Sequence, residues 1–248
     1  MRSPWERRPD RARADAALRL LVRALSELCL TVGTVILLFT AYVLFWTGFE
    51  ADRAMAGELD GLRDRWAREQ SAAPGTGGSP RPAGGTSASP SAVPAPAAPG
   101  RAFAEMYVPR FGPTWRKPVL EGTAAGTLKR GLGHYSGTAP PGGTGNFAVA
   151  GHRRTHGDPF KDFPRLRPGD PVLVKDGRAV YTYVVRKGPV RTLPTDTAVV
   201  DPVPAKSGFT APGRYLTLTT CDPEWGHSHR LIVWAELAET RPVGRTSP

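Results

Sequence analysis

Residues 215–237 read YLTLTTCDPEWGHSHRLIVWAEL, and the reading of this stretch decides the fold. Its first six residues alternate bulky apolar and β-branched hydroxyl side chains with period two, the pattern of a strand with one face buried. Cys221 stands at the end of that strand. Asp222-Pro223 then interrupts the ladder, because proline has no N–H and restricts the residue before it. After a polar loop, Arg230 opens a second apolar run, Leu231-Ile232-Val233-Trp234-Ala235, which reads as the partner strand. A thiol at one strand end and an arginine at the start of the next can lie side by side at one rim. On this stretch alone the bland alternative comes first: a lone cysteine is more often an inert buried hydrophobe, and a strand-start arginine a solvated charge.

Working outward, the region from Arg101 onward has the length of one ordinary domain. Strand-like runs recur between turn signals at 103–108, 115–120, 146–150, 171–174, 179–186, 189–193, 215–220 and 231–237. Asp176-Gly177 between two of them is a strong hairpin turn. Helical candidates are short, near 125–129 and 159–166. The expectation is an all-β, eight-stranded barrel over 101–240, with one or two short helices and a short tail at 241–248.

The N-terminal part has a different composition. Residues 1–27 are arginine-rich, with Arg2, Arg7, Arg8, Arg11, Arg13, Arg19 and Arg23, and the whole chain carries a formal charge of +11. Nucleic-acid binding is one meaning of such a run, but no charged residue occurs from 28 to 49, a length that spans a bilayer core. The span exceeds the apolar core of a cleavable signal peptide, and Glu50 and Asp52 follow where small residues would be needed. This reads as an uncleaved transmembrane signal anchor over 28–49, with the arginine-rich N-terminus cytoplasmic and the rest outside the cell. Tyr42 and Trp46 are candidate interfacial anchors. Residues 50–70 carry apolar positions at helical spacing and read as an amphipathic stalk; 71–100, rich in Pro, Ala, Gly and Ser, reads as a disordered linker. As a coil it would reach roughly 30 Å and let the outer domain range near the membrane. An extracellular basic domain meets anionic wall polymers and lipid head groups, not nucleic acid.

Of the two cysteines, Cys29 lies in the apolar span and Cys221 in the outer domain, so they cannot pair within the chain. An unpaired extracellular thiol points to intermolecular pairing or to reactivity. A reactive thiol needs a base or a cation beside it. Five histidines are candidates: His134, His152, His156, His227 and His229. His152 follows the strand-like run 146–150 and therefore also sits at a strand end, where it can converge with Cys221. The other loop histidines lack a Cys-x-x-Cys or His-Glu-x-x-His context, and the aspartates are scattered, so neither zinc nor calcium is expected, and no cofactor.

The residues together resemble the sortase family, cysteine transpeptidases of Gram-positive cell surfaces. Thr217-Leu218-Thr219-Thr220-Cys221 is similar to the family's TLxTC strand, Arg230 in Arg-Leu-Ile-Val to its arginine, and Gly151-His152-Arg153 to its histidine segment. Val108-Pro109-Arg110, the run 132–138 (LGHYSGT) and Leu166-Arg167-Pro168-Gly169-Asp170 agree as well, and the ending around 230–237 is most similar to class E. The resemblance implies that Cys221 attacks the Thr–Gly carbonyl of an LAxTG- or LPxTG-type sorting signal and forms a thioester. It implies His152 as acid and base, Arg230 as the group that binds the peptide backbone and the oxyanion, Thr220 as a substrate contact, and a peptidoglycan amine as acceptor. Two other readings stand beside it. An L,D-transpeptidase places arginine two residues after its cysteine, whereas here it comes nine later. A non-catalytic tethered β-domain would leave the Cys, His and Arg set without a purpose.

Overall fold

The computed structural model describes residues 8–72 and 97–243; the side chains of 8–12, 41 and 43–47 are outside that description. Most of the linker expected at 71–100, residues 1–7 and 244–248, and the side chain of Trp46 therefore fall outside the described residues.

Eight strands close into a barrel. They are β1 (Ala102–Tyr107), β2 (Arg116–Glu121), β3 (Leu132–His134), β4 (Gly145–Ala150), β5 (Pro171–Lys175), β6 (Ala179–Thr192), β7 (Arg214–Asp222) and β8 (His229–Pro242). Around the barrel the order is β1-β2-β3-β4-β7-β8-β6-β5, with β1 and β5 completing the ring. Closure leaves no edge strand to pair with another chain. Two pairings are parallel, β2 with β3 and β4 with β7; the others are antiparallel.

The strand count matches the expectation, but its composition differs in two places. The runs at 179–186 and 189–193 form one strand, β6, because pairing with β8 continues across Lys187-Gly188-Pro189 through register shifts. Proline cannot donate to a ladder, and a bulge is where a sheet tolerates it. Conversely, β3 has only three residues and includes Gly133, too short for any periodicity to show. The helical expectation at 125–129 corresponds to α2 (Ala125–Leu128), whereas 159–166 contains only a 3-10 turn, Phe163–Arg165.

Inside the barrel, Met106, Val119, Phe147, Val149, Val172, Tyr183, Leu216, Leu218 and Val233 form one core. The opposite face of β7 is covered as well, contrary to the one-sided burial expected from its alternation. Thr217 and Thr219, opposite Trp234 and Ile232, are buried under a second cluster of Val199, Ile232 and Trp234, and Thr220, on the Leu216 and Leu218 face, is buried as well. Their hydroxyls account for this: Thr217 donates to Asn146 Oδ1 (2.9 Å), Thr219 bonds the Tyr135 hydroxyl (3.0 Å), and Thr220 donates to the Gly151 carbonyl (2.8 Å). Threonine is thus the β-branched residue that can be buried on a polar-lined face without an unmet hydrogen bond.

The N-terminal helix α1 (Arg8–Ala72) runs through both of the compact units into which the chain divides, residues up to Thr47 and from Gly48 on. In the first unit, Arg13–Thr40 is long and apolar enough to cross a membrane. Within it Arg23 and Glu27 pair with each other at 3.0 Å, and the charge-free run begins at residue 28. In the second unit the helix lies on the barrel. Ala51, Met55, Leu59, Leu62 and Trp66 are all buried there, each larger side chain contributing about 1.5–3 kcal/mol of apolar burial. Arg63 pairs with Glu105 (3.0 Å), Lys117 with Asp52 (3.2 Å) and Arg130 with Glu58, while Arg65 donates to the Ala102 carbonyl (2.7 Å). The apolar face read in the amphipathic segment at 50–70 is thus covered by the barrel.

Candidate active site

Strand register builds the site. On the antiparallel pair β7 and β8, Cys221 faces Arg230 directly, and opposed residues carry side chains on the same face of a sheet. On the parallel pair β4 and β7, Val149 is level with Leu218 and Ala150 with Thr219. The ladder continues one step further, since Gly151 donates its N–H to the Thr219 carbonyl (3.1 Å). His152 comes two residues past Ala150, as Cys221 comes two past Thr219, so both leave this end of the β4 and β7 pair. The Thr220 hydroxyl bond to the Gly151 carbonyl fixes this alignment on the far side of the same peptide. Gly151 has no room for a side chain: a Cβ there would come within 2.6 Å of Phe160 and 2.7 Å of Leu132.

His152 and Cys221 line one small cavity of about 190 Å³, together with Arg153, Arg154, Thr155, Glu224, Trp225, Gly226 and His227. Burial lowers the pKa of His152 first of all, with the charges of His156 and Lys129 adding to the effect, so its imidazole is held neutral. The His152 and His156 rings stand 4.9 Å apart. His156 is lowered too, by burial and then by Lys129.

Arg230 spends its Nη1 on the carbonyls of His227 and His229, both at 3.0 Å, which ties it to the loop between β7 and β8. Sequence reasoning overlooked a second arginine. Arg153 places Nη1 on the Cys221 carbonyl (3.4 Å) and on Asp222 (2.5 Å), while its buried Nε has no hydrogen-bond partner. Asp222 also pairs with Arg191 (2.8 Å). Arg154 pairs with Glu224 and lies 5.1 Å over the ring of Trp225, which is 74% exposed at the mouth of the cavity. The polar loop after His152 was visible in the sequence, but its spacing does not reveal which arginine reaches the Cys221 carbonyl and Asp222.

His134, another of the candidate histidines, is elsewhere. It sits between Glu121 (2.8 Å from Nδ1) and the Thr138 hydroxyl (2.9 Å from Nε2), an order that imitates a nucleophile, base and acid chain. Its Nε2 also faces the Ala139 carbonyl (3.2 Å). Thr138 meanwhile donates to the Tyr135 carbonyl (2.7 Å). With that proton given to a backbone carbonyl, the hydroxyl is not set up as a nucleophile, and the group is a structural network. His229 is likewise occupied, by Arg191 (3.2 Å) and Ser228 (3.0 Å). Among the described residues no three His, Cys, Asp or Glu side chains gather in a way that could hold a metal ion.

Comparison with known proteins decides the family. A model of the Sortase domain matches residues 106–238, which is more than half of the chain. The chain belongs to the sortase family. It is 35% identical to Sortase SrtE1 of Streptomyces coelicolor over 98% of its own length, and it spans 64% of that relative's length. Among solved structures, sortase E from Streptomyces avermitilis is 61% identical with a TM-score of 0.57, over 61% of this chain and 97% of that one. Sortase E1 from Streptomyces coelicolor, solved with a tripeptide in its active site, is 41% identical with a TM-score of 0.56, over 61% and 96% of the respective chains.

Proposed function

We propose that this sortase is a membrane-anchored cysteine transpeptidase that cleaves an LAxTG- or LPxTG-type sorting signal between Thr and Gly and transfers the protein to a peptidoglycan amine. The observation that carries the reading is the register that sets Cys221 opposite Arg230, together with the cavity that His152 and Cys221 line in common.

In this reaction the Cys221 sulfur attacks the threonine carbonyl carbon while its proton passes to His152, whose neutral imidazole can accept it. The tetrahedral oxyanion forms beside Arg230, whose Nε and Nη2 remain for substrate when Nη1 holds the loop carbonyls. His152 then returns the proton to the departing glycine nitrogen, leaving a thioester on Cys221. An incoming amine loses a proton to His152, attacks the thioester, and releases the Cys221 thiol with a new amide bond. Thr220, its proton committed to Gly151, contributes by fixing the height of His152 and offers substrate an acceptor oxygen. Anchoring would come from the apolar run at 28–49, which overlaps the membrane-length segment Arg13–Thr40, with the arginines of 1–27 on the cytoplasmic side and the barrel outside.

The test uses the full chain in detergent with a fluorogenic LAxTG peptide and an amine acceptor, the products identified by mass. Cleavage between Thr and Gly, joining to the amine, and loss of both in Cys221→Ala and His152→Ala are the expected results. An enzyme inert toward LAxTG and LPxTG peptides alike would return the non-catalytic reading.

A further inference from the structure

The packed segment of α1 has no part in the reaction just described, yet its first turns meet the loop that follows His152. A Cβ on Gly157 would come within 2.4 Å of Met55 Cε and 2.8 Å of Asp52 Oδ1, so the loop backbone lies directly against the helix. Met55 is 2% exposed, which makes this contact fully packed. Asp52 is held in place by Lys117 at 3.2 Å.

The backbone at this contact is unusual. His156, Gly157 and Asp158 have φ of 51°, 77° and 47°, three consecutive residues in the left-handed region, where only glycine is at ease. Such a turn persists only where its surroundings hold it. Part of the hold is internal: Asp158 accepts the Thr155 N–H (2.7 Å) and faces Arg154 (3.5 Å). The flanks are tied by Arg154 to Glu224 and by Trp115 Nε1 to the Pro159 carbonyl (3.0 Å). The apex is where Met55 and Asp52 press. The same turn carries the His156 ring, 4.9 Å from that of His152.

We infer that Met55 and Asp52 are positioning residues: the helix leading out of the apolar span braces the left-handed turn at 156–158 and thereby sets His156 against His152. The catalytic unit then begins at Gly48 and not at the barrel's first strand. For the role of His152 this rests on the transpeptidase reading above. The charged and titratable groups around His152 are His156 and Lys129, with Arg153, Arg154, Glu224, His227 and the Cys221 thiol sharing its cavity.

The experiment takes the full chain in detergent and compares Met55→Ala, Asp52→Ala and the volume-conserving Met55→Leu with wild type. Trp66→Ala serves as a control at the other end of the packed segment, where its ring lies against Gly177. Three quantities are read: Tm, kcat and KM on the LAxTG peptide, and the pH dependence of iodoacetamide alkylation at Cys221, located by peptide mass so that Cys29 does not contribute. Met55→Ala is expected to lower kcat about tenfold or more with KM within about twofold, the signature of a displaced catalytic group. Its alkylation profile moves with it. Asp52→Ala, whose side chain is 61% exposed and whose loss leaves the fold intact, gives a smaller shift of the same kind. Met55→Leu restores both quantities, and Trp66→Ala lowers Tm without moving the alkylation profile. The inference is overturned if Met55→Ala and Asp52→Ala lower only Tm, or if Trp66→Ala moves the profile equally. Should wild type leave the peptide uncut while Met55→Ala still shifts alkylation, the transpeptidase reading fails and the bracing stands.

Discussion

The rings of His152 and His156 lie 4.9 Å apart at an interplanar angle of 58°, so the candidate acid–base group of the site has a second titratable ring as its immediate neighbour. Two protons cannot both be accommodated cheaply at that distance, and burial already disfavours the first.

Replacing His156 by Asn removes one of the charges that lower the His152 pKa. The acidic limb of the kcat/KM profile is expected to move to higher pH, because His152 then protonates more readily as pH falls. A profile unchanged between wild type and His156→Asn would show that burial and Lys129 set the His152 proton affinity without His156.

Stability follows the same groups. Both histidines have folded pKa values below the unfolded value of about 6.5, so the unfolded state binds more protons in the window beneath it. Their contribution is complete above about pH 6.5 and declines as pH drops toward the folded values. Asp170, lowered by its hydrogen bond to Arg110 before all else, adds a loss at still lower pH, through its own folded pKa. Thermal unfolding followed from pH 7.5 to 5 should show Tm falling, and the double variant His152→Gln, His156→Asn should flatten the part of the slope below pH 6.5.

Thr220→Val keeps the shape of the side chain and deletes the bond to the Gly151 carbonyl, leaving a buried acceptor unmet. A loss of about 1–3 kcal/mol in stability is expected, accompanied by a fall in kcat because the peptide preceding His152 is no longer fixed. Thr220→Ser retains the donor and should retain most of kcat. Equal kcat in the Val and Ser variants would remove Thr220 from the alignment of His152.

Gly151→Ala forces a methyl group against Phe160 and Leu132. Overpacking of this kind costs about 1–3 kcal/mol, and here relief must come from moving the segment that carries His152. Denaturant unfolding should show a lower midpoint, and peptide cleavage should fall further than stability alone accounts for.

Arg230→Lys preserves charge while losing the planar fork that can hold two loop carbonyls and still face substrate. A fall in kcat/KM of about a hundredfold with unchanged Tm is the expected outcome, and wild-type kinetics in this variant would move the oxyanion role to Arg153.

The sequence by itself determined the class of fold and the strand ends that carry the candidate residues. Alternation at 215–220 and the apolar run after Arg230 are local patterns of period two, and strand ends follow from proline and polar loops, so Cys221, His152 and Arg230 could be placed at rims without coordinates. Other features depended on pairing at a distance. Whether Lys187-Gly188-Pro189 ends a strand or is carried through as a bulge is settled by β8 alongside it, and three-residue β3 exists only because β2 and β4 flank it. The packing of 48–72 was equally hidden. An amphipathic helix announces an apolar face but not what covers that face, and here the cover is the barrel itself, with Met55 against the loop of His152 and Trp66 against the Asp176-Gly177 turn. Contacts between residues a hundred positions apart are decided by which surfaces fit, and that is a property of the folded chain.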